Sequence, residues 1–141
     1  MLDFVSRLST FRAAHKFLFQ SRFLREGVRS FDNKLDVEWN DMRGGSLQWR
    51  DPGLSCSCST VCCSAEAPVS ESDIDVVYMA LNREELTARV HLPSIKDEFC
   101  WQLSIDTVYP QKNLNAVDET HLTVNGSAVV TLSFINRSEL S

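Results

Sequence analysis

Four cysteines fall within eight residues, Cys56, Cys58, Cys62 and Cys63, and a fifth, Cys100, stands alone. Thiolates are soft ligands that suit zinc, so the group invites a metal reading. The spacing argues against it. A usual finger separates two Cys-x₂₋₄-Cys arms by a dozen or more residues, and adjacent Cys62 and Cys63 are awkward to aim at one ion. A Ser/Cys-rich loop with no chemical role is the stronger reading, and no metal ligand or cofactor is assigned. Cys100, beside Trp101, reads as an ordinary buried cysteine. An odd, clustered set is also not the framework of a disulfide-stapled secreted domain.

The three histidines, His15, His91 and His121, lie far apart in sequence. They read as solvated or capping residues, with His15 ending a helix, where the dipole favours an imidazolium. Acidic residues are numerous, but none of their spacings singles out the carboxylate pair of a glycosidase. Nucleophile-elbow, zincin, P-loop and dinucleotide-binding patterns are all missing. No catalytic residue is assigned. Trp39 and Trp49 flank the Gly44-Gly45 turn. Such rings stack on sugars, although filling a core or an interface is the commoner use of so much apolar area.

The elements that must position these residues follow from periodicity. Residues 2–19 predict an amphipathic helix, with Leu2, Val5, Leu8 and Phe11 at three-residue steps and Phe4, Leu8, Phe11 and His15 extending the face. From Leu35 the period becomes two, through Val37 and Trp39. Met42 to Ser46 and Asp51-Pro52-Gly53 read as turns. Residues 55–72 read as a loop, with one weak edge strand near Cys56 to Val61. Ile74 to Leu81 is apolar on both faces, as in a strand buried on both sides. Asn82 to Glu85 is a turn, and Leu86, Ala88, Val90 and Leu92 then mark a half-buried strand. Trp101 to Asp106 alternates, Tyr109 to Thr120 is turn-rich, and Leu122 and Val124 precede the tight-turn dipeptide Asn125-Gly126. Ala128 to Phe134 closes the series. The expectation is a mainly β fold, an antiparallel β-sandwich over 35–141 preceded by one helix within 1–26.

The chain has 141 residues with 43% hydrophobic and 23% charged, and its 14 bases against 19 acids give a net charge of −5. The length suits one domain burying roughly 68–70% of its unfolded surface. The apolar fraction, near the globular average of about 45–50%, excludes wholesale disorder. No basic stripe exists for nucleic acid. No apolar run approaches the 18 or so residues that span a bilayer, and residues 1–7 do not read as a signal peptide. The expected setting is therefore intracellular, and Asn125-Gly126-Ser127 and Asn136-Arg137-Ser138 are chance glycosylation sequons.

The order of these motifs resembles one family. Phe4-Val5-x-x-Leu8-x-x-Phe11-Arg12-x-x-His15 is similar to the helix closing the catalytic barrel of isoamylase-type glycogen debranching enzymes, within the α-amylase superfamily of glycoside hydrolases. Asp36-Val37-x-Trp39, Gly44 and Trp49-x-Asp51-Pro52 resemble the stretch that follows it. Val77-Tyr78-x-Ala80-x-Asn82, Leu92-Pro93, Trp101 and Ile105-Asp106-Thr107 are similar to the later strands, and Ala128 to Leu132 to the last one. The chain departs from the family at Ser55 to Thr60, where an apolar strand is usual, and in the Ser/Cys-rich insertion through Ser72.

The resemblance implies a noncatalytic carboxy-terminal portion of an enzyme that hydrolyses α-1,6 branch linkages of glycogen or amylopectin. The catalytic carboxylates of that family lie at barrel strand ends, all upstream of Met1, so no residue here inherits a catalytic role. The implied partners are the catalytic barrel of the same enzyme, on which the exposed Phe4, Leu8 and Phe11 stripe of the helix would pack, and branched α-glucan, not nucleic acid or membrane. The implied location is cytoplasmic, or plastidic in a plant or alga. A competing reading is a stand-alone β-sandwich that binds polysaccharide through Trp39 and Trp49. A third is a metal-binding protein using the cysteine cluster.

Overall fold

In the computed structural model, residues 1–15, 37–64, 74–110, 115–117 and 120–140 are described. One helix, α1 (Leu2–Ala14), precedes eight strands: β1 (Val37–Asn40), β2 (Cys56–Ser64), β3 (Ile74–Asn82), β4 (Ala88–His91), β5 (Phe99–Asp106), β6 (Ala116–Val117), β7 (His121–Val124) and β8 (Ala128–Asn136). Six strands form one sheet in the order β1-β2-β3-β8-β5-β6, and β4 and β7 form a separate two-stranded ribbon. Every pairing is antiparallel. The mainly antiparallel β character with one amino-terminal helix agrees with the sequence.

The core lies between the six-stranded sheet and the ribbon. Val76, Tyr78, Ala80, Trp101, Leu103, Val130 and Leu132 from the sheet meet Ala88, Val90 and Val124 from the ribbon, with Leu92 just beyond β4. Tyr78, Leu132, Val90 and Val124 are almost wholly buried. Each such side chain contributes about 1.5–3 kcal/mol of apolar transfer. Trp101 stands 5.9 Å from the Tyr78 ring, and its indole N–H donates to the Pro93 carbonyl at 3.3 Å. That bond satisfies the one polar atom a buried indole carries.

β3 is buried on both faces, as its unbroken apolar run predicts. Val76, Tyr78 and Ala80 point to the core, and Val77, also buried, points to the opposite face. There α1 crosses. The Arg7 guanidinium donates to the Pro110 carbonyl, and His15 reaches Asp75, on the Val77 side of β3. Helix and ribbon thus cover opposite faces of the sheet.

Three expectations are corrected here. The Ser/Cys stretch is not a loop with an edge strand: β2 runs nine residues between β1 and β3, paired with β3 from Cys56↔Asn82 to Ser64↔Ile74. Ser and Cys lack the apolar contrast that marks a strand in sequence, and backbone pairing with β1 and β3 makes this stretch a strand. Leu86 was expected on the buried face of a strand. It lies instead in the turn before β4 and is 81% exposed.

The helix is the third. α1 ends at Ala14, and the rest of the expected helix, 15–19, is the C-cap His15 followed by residues outside the described ones. Phe4, Arg7 and Phe11 are its half-buried positions and His15 is buried, so the inward face is turned away from Leu2 and Val5. The Phe4–Leu8–Phe11 stripe, expected exposed toward a missing barrel, instead turns Phe4 and Phe11 half-buried toward this chain's own sheet, where Arg7 and His15 beside them bond Pro110 O and Asp75.

The two crossings between sheets are tied to each other. Asn82 ends β3, and its amide donates to Leu86 O at 2.8 Å, Asn125 O at 3.0 Å and Val124 O at 3.4 Å. Its Oδ1 accepts from the Glu84 N–H at 3.1 Å, and Ser127 N–H donates to Glu84 O at 2.7 Å. Asn125-Gly126 does make the tight turn its residues predict. That turn hands the chain from the ribbon to the six-stranded sheet, because β7 pairs with β4 and β8 with β3 and β5. A Cβ on Gly126 would overlap the backbone of Glu85. Glycine is therefore required by close approach, while the left-handed position of the turn is Ser127, at φ 52°.

Candidate functional site: a polar cleft and a tryptophan pair

A cleft of about 250 Å³ opens on the ribbon side of the sheet, lined by Glu38, Asn40, Gly44, Tyr78, His91, Pro93 and Ser94. Its walls follow from the local sequence. Asp41 starts the glycine turn: its Oδ1 accepts from Arg43 N–H at 2.8 Å and Gly45 N–H at 2.9 Å. Gly44, at φ 85°, takes the left-handed conformation that glycine adopts freely, and its N–H donates to Asp41 O at 3.1 Å. The turn is held against β4 by His91 N–H donating to Met42 O at 2.8 Å. Gly44 then packs so closely on His91 that a Cβ there would come within 3.2 Å of Nδ1.

At the cleft's polar wall, the Asn40 amide donates to Glu38 Oε1 at 3.2 Å. The Tyr78 hydroxyl donates to His91 O at 3.5 Å. A carboxylate, an amide and an imidazole around a small opening can hydrogen-bond a polar ligand.

Trp39 and Trp49 come together, with ring centroids 5.1 Å apart in an edge-to-face arrangement. Trp49 is 59% exposed and Trp39 half-buried. This pair is not part of the cleft. Trp39 falls between Glu38 and Asn40 on β1, so the alternation of the strand sends it to the opposite face of the sheet. Its register partner Ser59 pairs in turn with Met79, whereas Glu38 follows Thr60 to Tyr78.

His15 ends α1 as its C-cap, as expected, and is also buried, with its Nδ1 2.7 and 2.8 Å from the two carboxylate oxygens of Asp75. Its ring also packs on Phe11 at 4.3 Å. His91 and His121, thirty residues apart in sequence, are direct register partners across β4 and β7, with ring centroids 5.1 Å apart. Only the strand register could have revealed that pair.

Several acids form turns. Asp51 Oδ1 accepts from Gly53 N–H at 2.8 Å, and buried Asp106 accepts from Val108 N–H at 2.9 Å and Tyr109 N–H at 3.2 Å. Along β2, Cys62 pairs with Val76 and Cys63 with Asp75, so the two occupy strand positions of opposite parity. Cys56 and Cys100 are buried thiols. Among the described residues, no group of three or more His, Cys, Asp or Glu is placed to hold a metal ion. Nor is any helix among them long and apolar enough to cross a membrane. No protein-family model matches the chain, and no curated protein matches it.

Proposed function

We propose that this chain is the noncatalytic carboxy-terminal portion of a debranching glycoside hydrolase acting on α-1,6 linkages of glycogen or amylopectin in the cytoplasm or plastid. In this reading the six-stranded sheet and the β4–β7 ribbon are the layers of its terminal β-sandwich. α1 is the last helix of the catalytic barrel, and the barrel supplies the reactive carboxylates. The observation that carries the proposal is the outer side of α1. Leu2, Val5 and Leu8 are 87%, 52% and 39% exposed, while Phe4, Phe11 and His15 already face the sheet. An apolar stripe that runs past the face the sheet covers, to exposed Leu2, Val5 and Leu8, has room for a second packed layer. A barrel on its outer side provides the second one.

The ordered motifs from Phe4 to Leu132 support the same reading. The test is an assay of the pure 141-residue chain on amylopectin. No release of linear glucan is expected, and turnover by the pure chain overturns the proposal.

The tryptophan pair favours a second reading, a free-standing module that binds polysaccharide. Trp49 presents an exposed ring beside Trp39, and aromatic faces stack on sugar rings. Replacing both by Ala would then abolish retention on immobilised glucan with the fold intact.

A further inference from the structure

The geometry points to a two-imidazole site on the ribbon: we propose that His91 and His121 bind a divalent first-row transition ion of the imidazole-preferring class, copper, nickel or zinc. The inference is independent of the debranching reading. In an antiparallel pair, facing residues alternate between hydrogen-bonded and non-hydrogen-bonded positions, and side chains approach more closely at the latter. Leu92 N–H donates to Thr120 O at 2.8 Å, whereas His91 N–H turns away from β7 to Met42 O. His91↔His121 is therefore the close, non-hydrogen-bonded kind of pair, and its ring centroids are 5.1 Å apart.

The outer contacts suit ligation. His121 Nδ1 lies 2.9 Å from the Thr120 hydroxyl oxygen. With the proton on Nδ1 donated to that oxygen, Nε2 keeps its lone pair, and a metal-ligating histidine commonly anchors its second nitrogen in this way. His91 has its Nδ1 edge against Gly44, which leaves Nε2 as its outward nitrogen. His91 is exposed and His121 half-buried, so an ion reaches both. Two imidazoles form a chelate with water in the remaining positions, and copper, nickel and zinc all accept imidazole nitrogen.

The probe is NiCl₂ titrated into the full chain by calorimetry at neutral pH, with His91→Gln and His121→Gln beside the parent. One saturable site is expected in the parent, weakened about tenfold or more by either substitution. Circular dichroism melting identifies any variant that fails to fold. If either does, broadening of the His91 and His121 imidazole resonances by substoichiometric Ni(II) in the parent is the deciding readout, and it is expected to affect these two rings first. Absence of saturable binding up to millimolar Ni(II) overturns the proposal. So does affinity unchanged in both variants, or broadening that spares these rings, since each places the ion elsewhere, the cysteine segment included.

Discussion

His15, the residue that caps α1, sets its Nδ1 within 2.8 Å of both carboxylate oxygens of Asp75 on β3. A carboxylate only accepts, so Nδ1 carries the proton and donates. The contact joins residues sixty apart in sequence. It fixes the helix to the face of the sheet opposite the ribbon, and with Arg7 on Pro110 O it pins α1 at two points.

Replacing His15 by Ala should therefore loosen α1 while leaving the sheet standing. The expected cost is about 1–3 kcal/mol, because the substitution removes a part-buried hydrogen bond to a carboxylate. Native-state hydrogen exchange checks it. Protection of residues 2–14 should fall well before that of β3 and β8. Equal loss in helix and sheet would mean that the contact does not anchor the helix.

The crossings between sheets give a second prediction. Asn82→Ala strips the amide from three backbone carbonyls and the acceptor from Glu84 N–H. Gly126→Ala drives a methyl into the Glu85 backbone. Each should destabilise by about 2–3 kcal/mol, read from urea midpoints at constant m-value. Because both act on one junction, the double variant should cost less than the sum of the singles. Full additivity would separate the two sites.

Thr131 offers the opposite sign. Its hydroxyl is buried on β8 and finds no hydrogen-bond partner among the described residues. An unsatisfied buried hydroxyl costs on the order of 1–3 kcal/mol. Thr131→Val keeps the branched shape without the polar atom, so the chain should gain up to about 1 kcal/mol. A loss in thermal or urea stability would show that the hydroxyl is engaged in solution.

The exposed helix face predicts solution behaviour. Leu2→Gln, Val5→Lys and Leu8→Gln together remove apolar surface that is largely exposed, so folding stability should move by less than about 0.5 kcal/mol. Self-association of the isolated chain in sedimentation velocity should fall, since exposed apolar patches drive it. Unfolding by these three changes would assign the face to this chain's own core.

Much of this fold is legible where sequence contrast is strong. The apolar run from Ile74 to Leu81 marks a strand covered on both faces, and Trp101 to Asp106 and Ala128 to Phe134 alternate cleanly enough to place β5 and β8. β2 escapes because Ser and Cys carry little hydropathy contrast. Its strand state comes from having β1 and β3 on either side. The facing side of α1 escapes because its apolar stripe is wider than the buried face, and contact with Asp75 and Pro110 decides which part of it turns inward. His91 and His121 escape for a geometric reason: a ribbon register between segments thirty residues apart brings them together. The cleft likewise depends on a glycine turn seated against β4, and only its glycines are visible in sequence.

The size and activity of the native polypeptide that carries this segment decide whether it is part of a debranching enzyme. An antibody against the exposed segment 48–53 should capture, from the source organism, a species several times heavier than 16.0 kDa that releases linear chains from amylopectin. A captured species of 16.0 kDa, or a larger one in a complex with no debranching activity, would contradict it.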